Sequence, residues 1–379
     1  MATMILPRSA QHVSASSAVS HLPDGTEAVA EIAAAIGTGA DMYTVFVSAG
    51  YDLDAVGAAL KQHFGDRVIG CTSSGNIGPN GYDRSGICAA GFTGGGLRIH
   101  TTAVGPLDDT ATAVEQAGSA LAAMRAELGD DGEGFAILLT DGLTRNEDLL
   151  AANLMAALGD VPIVGGSAGD DLTFSHTAVL HDGKFLANTA TVTLVRADAP
   201  FRLLRLQHHD LTDTVLVATE VDAGRRIIRQ FNGRPAASAY AEAVGADLAE
   251  IGPITFSTHP LLLKAGGSSW IRSIAAVNED GSLNMLARVD TGDVLRLGRP
   301  VGMLDKLAER FDAVGAELGS IRAMLAFDCI LRRLEFEERG LADEVGAFLA
   351  EHQAIGFSTY GEQFNGMHMN QTLVAVAFG

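Results

Sequence analysis

RVIGCTSSGNI (residues 67–77) runs from apolar residues through a glycine into a cluster of small and hydroxyl side chains. The chain contains this pattern three times, and the other two copies are VPIVGGSAGDD (161–171) and QAIGFSTYGEQ (353–363). Each copy ends in a second glycine and a polar residue, and the paired glycines are Gly70 and Gly75, Gly165 and Gly169, and Gly356 and Gly361. Three ordered copies indicate a repeated structural unit rather than chance.

The sequence before each copy is also repeated. The upstream apolar runs are YTVFVSAGYD (43–52), FAILLTDGLT (135–144) and AMLAFDCILR (323–332). A helical pattern follows each run, in DLDAVGAALKQHF, EDLLAANLMAAL and LADEVGAFLAEH, with apolar residues three or four positions apart. Strand, helix and strand in this order predict a right-handed βαβ crossover with both sheet faces covered.

Hairpins are predicted between the repeats. Asp182-Gly183 and Asp280-Gly281 are two-residue turn sequences flanked by apolar runs. Helices are expected over 236–248 and 299–318. The predicted fold is therefore α/β, with two related halves of mixed β-sheets flanked by helices and built from repeated βαβ units and hairpins.

The predicted domain organisation has three parts. Residues 1–24 are expected to be an N-terminal extension, 25–220 a first domain and 221–379 a second domain. The division is placed near residue 220 because the segment 225–245 starts a new pattern of strand, turn at Asn232-Gly233 and helix.

Composition narrows the class of protein. The chain has 379 residues, 47% hydrophobic content and a formal charge of −20, so it can bury a core and is not expected to bind nucleic acid. Its three cysteines have no C-x-x-C spacing, which argues against a disulfide framework. No signal peptide or membrane-spanning segment is apparent, so a cytoplasmic protein without membrane contact is expected.

Hydroxyl side chains follow the predicted strands. Ser73, Ser167 and Ser358 lie where the second strand of each repeat ends. Parallel sheets collect ligand sites at the carboxyl ends of their strands, and glycine allows close backbone approach. We therefore expect the three tips to form the lip of one small-molecule crevice.

These blocks resemble the FIST domain family along nearly the whole chain. VIGCTSSG, FAILLTDG and IVGGSAGDD resemble the FIST N-domain, and FNGRPAASAY, STHPLLL, WIRSIAAVNEDGSL and GFSTYGEQFNGMHMNQT resemble the FIST C-domain. The resemblance implies a bacterial signal-transduction sensor of a small ligand, with amino acids as proposed ligands. A subset of stand-alone members binds haem, senses nitric oxide and regulates a partner histidine kinase. This chain shows no fused output block, so it resembles those members, with a sensor histidine kinase or other signalling protein as partner; homodimer formation is left open.

The haem version requires an axial iron ligand. His368, between two methionines in NGMHMNQT, is the first candidate metal ligand, and Asn370 on the same strand face would orient it or a bound gas. His259 is the second candidate, and Cys329 is a thiolate alternative. Any haem b would be bound noncovalently, because C-x-x-C-H is absent.

The haem-free version requires groups for a polar metabolite such as an amino acid. Arg272 would bind a carboxylate, and Asp170, Asp171 or Glu362 would bind an ammonium group. An enzyme is not expected. The crevice serines lie outside G-x-S-x-G, and neither H-E-x-x-H nor a Walker A motif is present. On the sequence, haem with nitric oxide is the preferred sensor version, and the haem-free version is the alternative.

Overall fold

The computed structural model describes residues 12–128, 133–265 and 267–379. Within these ranges the chain is α/β, with mixed sheets flanked by helices. The repeat seen in the sequence becomes three copies of one unit, which runs strand, helix, strand, helix, strand, hairpin, strand. The third copy has a pair of helices at the second helix position and carries an inserted lobe.

The first two units follow one another along the chain. The first consists of β1 (Val13–Ser20), α1 (Gly25–Ile36), β2 (Met42–Ser48), α2 (Leu53–Phe64), β3 (Val68–Ser73), β4 (Asn76–Gly78), β5 (Gly81–Asp83) and β6 (Ile87–Gly94). The second consists of β7 (Arg98–Val104), α3 (Thr110–Leu128), β8 (Glu133–Thr140), α4 (Glu147–Leu158), β9 (Ile163–Ser167), β10 (Val179–His181), β11 (Lys184–Leu186) and β12 (Ala190–Ala197).

The third unit begins with β13 (Phe201–Leu206) and is interrupted by the inserted lobe. The lobe consists of β14 (His209–Asp222), β15 (Ile227–Phe231), β16 (Arg234–Pro235), α5 (Ala236–Val244), α6 (Pro253–Thr258), β17 (Leu261–Ala265), β18 (Ser268–Arg272), β19 (Ile274–Val277), β20 (Leu283–Met285) and β21 (Val294–Pro300). The unit resumes with α7 (Met303–Leu318), β22 (Ala323–Cys329), α8 (Ile330–Glu338), α9 (Ala342–Glu351), β23 (Ala354–Thr359), β24 (Glu362–Phe364), β25 (Met367–Met369) and β26 (Leu373–Phe378).

The three units exchange their hairpins in a cycle. The sheet orders are β1-β6-β2-β3-β10-β11, β7-β12-β8-β9-β24-β25 and β13-β26-β22-β23-β4-β5. The hairpin of the first unit, β4-β5, therefore pairs with β23 in the sheet of the third unit. The hairpin of the second unit, β10-β11, pairs with β3 in the sheet of the first unit. The hairpin of the third unit, β24-β25, pairs with β9 in the sheet of the second unit. We call these three sheets and their helices the body. The lobe contains a fourth sheet, in which β14 pairs with β21 and β15.

The inner faces of the three sheets share one core. Phe46 and Phe357 stack with ring centroids 4.5 Å apart, and Phe135 lies 6.0 Å from Phe378, so all three sheets meet at these aromatic contacts. The helices cover the outer faces in three further clusters. Because both faces are covered, the strands read as continuous apolar runs rather than alternating ones.

The first glycine of each copy has the same structural role. Gly70, Gly165 and Gly356 lie on the second strand of each parallel pair, opposite Val45, Leu138 and Ala326. A Cβ at any of the three would overlap the carbonyl oxygen of that opposite residue. The repeated glycine is thus required by the close approach of the two strands.

Several element boundaries differ from the sequence-based expectations. β22 ends at Cys329 and α8 begins at Ile330, so the third crossover has two helices where one was expected. The helix expected from residue 299 begins at Met303, because β21 continues to Pro300, and the helix from Ala236 ends at Val244, before left-handed Gly245.

Strands run through the regions where the domain limits were predicted. Residues 13–20 of the expected extension form β1, which pairs with β6, and residues 1–11 lie outside the described residues. The division near residue 220 falls inside β14. Among the described helices, none has the length and apolar character needed to cross a bilayer.

Candidate functional site

The three tips converge, as expected from the repeat. The backbone N–H of Ser74 donates to the carbonyl of Ser358 at 3.1 Å, and that of Gly169 donates to the carbonyl of Thr72 at 3.1 Å. The N–H of Ser167 donates to the carbonyl of Gly361 at 2.8 Å. The tips therefore contact one another directly, and their polar groups are paired within the protein.

The three predicted serines are buried in this junction. The Ser73 hydroxyl donates to Asn76 at 2.8 Å. The Ser167 hydroxyl accepts from Gln363 at 2.8 Å and from Thr140 at 3.0 Å. Ser358 lies 3.5 Å from a guanidinium nitrogen of Arg333 and accepts a long hydrogen bond from it.

Asp170 organises the loop after β9. Its carboxylate accepts from the Tyr360 hydroxyl and from the backbone N–H groups of Phe174 (3.0 Å), Ser175 (2.7 Å) and His176 (2.8 Å). Burial alone would raise the pKa of Asp170, but these hydrogen bonds lower it to about 2. Asp171 is different, since its side chain is largely exposed. Its backbone N–H donates to the Ser74 hydroxyl at 2.9 Å, and its carboxylate lies 3.7 Å from a guanidinium nitrogen of Arg333.

Glu362 and Cys329 lie deep in the body. Burial raises the pKa of Glu362 to about 8, although its carboxyl group is hydrogen-bonded to Thr359 and Thr372. The Cys329 thiol is fully buried at the start of α8, and burial raises its pKa well above the ordinary value. A thiol held in this state is a poor metal ligand, because the ligand form is the thiolate.

The structure brings three predicted residues together at the edge of the lobe. Arg272 on β18 donates to the carbonyl of His368 on β25 at 3.3 Å, and Asn370 accepts from the N–H of Ser273 at 3.2 Å. Burial lowers the pKa of the Arg272 guanidinium. The three residues thus join the lobe to the body.

Each of the two candidate histidines has at least one ring nitrogen in a hydrogen bond. Burial lowers the pKa of His368, so its ring is neutral, and both ring nitrogens are engaged, Nδ1 by Gln363 at 3.1 Å and Nε2 by the Leu286 carbonyl at 3.3 Å. Its ring also packs against Gly361, so closely that a Cβ there would overlap it. His259 lies apart at the end of α6, with Nδ1 2.9 Å from the Thr258 hydroxyl. Haem ligation by His368 would require breaking its buried hydrogen bonds.

A second polar cluster joins β14 to α8. Ligand atoms of His208, His209 and Glu335 lie within 4.8 Å of one another, close enough to hold a metal. However, Arg332 donates to Nδ1 of His208 at 2.7 Å, so Nε2 carries the proton and donates to Glu335 at 2.9 Å. Burial lowers the pKa of His208 to about 3. We interpret the cluster as a buried hydrogen-bonded ion network rather than a metal centre.

One site with room for a small molecule lies between body and lobe. A cavity of about 300 Å³ is walled on the body side by Gly142, Leu143, Arg145, Glu147, Phe174 and Tyr360. The lobe side supplies Arg225, Arg226, Ala275, Ala276, Asn284, Met285 and Leu286. Cavities for small ligands commonly measure about 300–1,000 Å³, so this one suits a metabolite of modest size. It lies beside the junction of the tips, and Tyr360 of the third copy reaches it.

Arg226 connects the two sides of the cavity. It is 4% exposed, and its Nη2 donates to Glu147 and Asp148 at the start of α4, at 2.6 Å in each case. Its Nη1 donates to the Leu286 carbonyl at 2.8 Å. Burial alone would lower the pKa of Arg226, but the two carboxylates raise it, so the guanidinium stays charged.

None of the residues predicted as ligands lines this cavity, and their binding roles stay predictions. Its three arginines, Arg145, Arg225 and Arg226, lie in turns and loops, which have no apolar periodicity to reveal them. One sequence feature pointed there, because Arg225 and Arg226 are consecutive in a chain with 26 basic and 46 acidic residues.

The chain has an α/β fold with a candidate ligand cavity between two parts of the chain. The FIST N domain family model matches residues 41–234, and the FIST C domain model matches residues 236–365. These matches cover most of the chain, so it belongs to the FIST family. Nothing among the curated proteins matches the chain significantly. FIST domains are associated with small-ligand sensing in signal transduction.

Proposed function

We propose that this protein is a haem-free sensor that binds a small polar metabolite in the cavity between body and lobe. The observation that carries the proposal is that both parts of the chain contribute walls to one cavity. A ligand held there contacts both parts at once. It therefore acts on how the lobe packs against the body.

The contacts around the cavity are of a kind that a ligand can bias. Arg226 of the lobe is paired with Glu147 of α4, and Arg145 of the body donates to the Arg225 carbonyl at 3.2 Å. These polar bonds can re-form in a second arrangement of similar energy. A ligand that prefers one arrangement shifts the population toward it by its difference in affinity.

The way the sensor passes on its signal is proposed from its membership of the FIST family. A partner signalling protein in the cytoplasm, such as a sensor histidine kinase, would bind one arrangement of the lobe better than the other. A catalytic role is not proposed. The hydroxyls of Ser73 and Ser167, considered above as nucleophiles, are engaged by Asn76 and Gln363 and lie away from the cavity.

The nitric-oxide version stays a prediction of lower rank. It needs an iron ligand facing open space, and His368 has both ring nitrogens in hydrogen bonds. The haem-free version needs only the cavity described above.

The proposal is tested by ligand screening with a cavity-filling variant. Metabolites are screened by thermal shift on the wild-type protein, and hits are measured by calorimetry on Ala276→Trp, where the indole occupies the cavity. Binding is expected to be lost in Ala276→Trp and kept in Ala276→Ser. Hydrogen exchange is expected to slow on both walls when the ligand binds. A hit that binds Ala276→Trp as tightly as wild type would place the sensor site elsewhere.

A further inference from the structure

Two guanidinium groups stand at the mouth of the cavity without a carboxylate partner. Arg145 lies in the loop before α4 and Arg225 in the turn after β14, and both side chains are exposed. Within the described part of the chain, neither makes an ion pair; Nη1 of Arg145 donates to the Arg225 carbonyl instead. Like charges held close together repel, and an anion between them relieves that repulsion.

A third guanidinium presents an unsatisfied donor. Arg226 lines the cavity and is 4% exposed, and its Nε has no hydrogen-bond partner among the described residues. A buried donor without a partner is costly. An acceptor atom on a ligand would satisfy it.

The cavity has no free acid to receive an ammonium group. Glu147 is the one carboxylate on the described wall, and it already accepts from Arg226. The wall is therefore net positive, with three arginines against one glutamate. This excess of positive charge favours an anionic ligand over a zwitterionic one such as an amino acid.

Apart from Asn284, most of the remaining wall is apolar, and part of it is flat. Phe174 and Tyr360 are stacked, with ring centroids 4.9 Å apart and planes 28° apart, and Phe174 is 41% exposed. Leu143 and Leu286 also line the space. An aromatic ring on the ligand can continue this stack.

We propose that the ligand is a small aromatic carboxylate without an amino group. Its carboxylate binds Arg145 and Arg225, and its ring packs against Phe174. This inference rests on the proposed function, because it concerns the same cavity. It narrows the ligand from polar metabolites in general to one class of anion.

Three matched probes test the charge requirement. Hydrocinnamate, phenylalanine and hydrocinnamyl alcohol share one skeleton: phenylalanine adds an ammonium group to hydrocinnamate, and the alcohol replaces its carboxylate. Calorimetry is expected to show binding of hydrocinnamate and at least about tenfold weaker binding of the other two. The alcohol loses a charge-assisted hydrogen bond, and the ammonium group of phenylalanine meets a net positive wall. Equal or tighter binding of phenylalanine overturns the inference, as does no measurable binding of hydrocinnamate.

Two arginine variants test whether Arg225 binds the carboxylate of the ligand. Arg225→Gln is expected to weaken hydrocinnamate binding about tenfold to a hundredfold. Arg234→Gln is the control, because Arg234 is paired with Glu242 and lines neither this cavity nor the neighbouring pocket that Arg145 and Arg225 also line. Arg225→Gln should not lower the thermal stability of the ligand-free protein, since that side chain has no ion-pair partner among the described residues. Unchanged binding in Arg225→Gln overturns the inference, whereas the proposed function fails only if ligands bind Ala276→Trp normally.

Discussion

Removing the charge of Arg226 is expected to destabilise the protein strongly. Its Nη2 lies 2.6 Å from carboxylate oxygens of both Glu147 and Asp148, and the Glu147 side chain is 1% exposed. Arg226→Met leaves the Glu147 carboxylate buried without a cation. Breaking a buried ion pair in this way costs about 3–5 kcal/mol in the free energy of unfolding.

A double-mutant cycle separates the ion pair from general damage. Glu147→Gln in the Arg226→Met background removes the stranded charge, so the double variant should be more stable than Arg226→Met alone. Urea unfolding followed by circular dichroism gives the free energy of each of the four proteins. The coupling between the two sites is expected to be at least about 1 kcal/mol, as for residues in one hydrogen-bonded network.

An exposed pair provides the comparison. Arg234 and Glu242 form an ion pair whose side chains are 55% and 66% exposed, and solvent weakens such pairs. Arg234→Met should therefore cost far less than Arg226→Met. If the two variants unfold at the same urea concentration, the buried pair is not what holds the lobe to the body, and the reasoning is refuted.

Three further outcomes are expected. Gly165→Ala should destabilise the protein by at least about 1–3 kcal/mol in chemical denaturation, because its new methyl group overlaps the Leu138 carbonyl, which is fixed backbone. Gly315→Ala in α7 is the control: its methyl group meets no atom, so it should stabilise the protein by up to about 1 kcal/mol. Destabilisation by both variants would contradict the steric argument. In the folded protein the pKa of Glu362 is raised from 4.5 to about 8, so as the pH rises the unfolded state loses the carboxyl proton first. The free energy of unfolding should therefore fall between these two pH values, by up to about 1.4 kcal/mol per pH unit. Glu362→Gln should flatten that slope, and an unchanged slope would show that Glu362 is not its source. Protein purified from haem-supplemented cells should show no Soret band, and a band that disappears in His368→Ala would restore the nitric-oxide hypothesis.

The sequence predicted the elements that are defined locally. The helix over 147–158 begins and ends where its apolar spacing indicates, and the Asp182-Gly183 turn joins β10 to β11 as expected. The convergence of the three tips was expected from the repeat, but the tips end strands of three different sheets, and the packing of those sheets on one shared core brings them together.

The exchange of hairpins could not be predicted in the same way. β4 has three residues, and nothing in NIG specifies that it pairs with β23 rather than with a strand of its own unit. Such pairing is decided by the packing of all three units together. The interruption of the third unit by the lobe was hidden for the same reason, since β13 looks like any other short strand.

The candidate site was missed because its arginines lie in turns. Arg145 and Arg226 adopt left-handed backbone conformations, with φ of 61° and 55°, which are uncommon for residues other than glycine. No periodic pattern marks such positions. The hydroxyl-rich tips were the more visible feature, but their side chains bond to one another.

The order of the strands limits how far this chain can fold while it is being synthesised. The last strand, β26, is an interior strand of the third sheet, between β13 and β22. The first unit's hairpin is made almost three hundred residues earlier and has no edge to join until β23 exists. Domains usually fold from the N-terminus while the ribosome is still adding residues. Here the nascent chain must hold an unpaired hairpin until β23 has been made, so truncation before β23 should be unusually harmful to this protein.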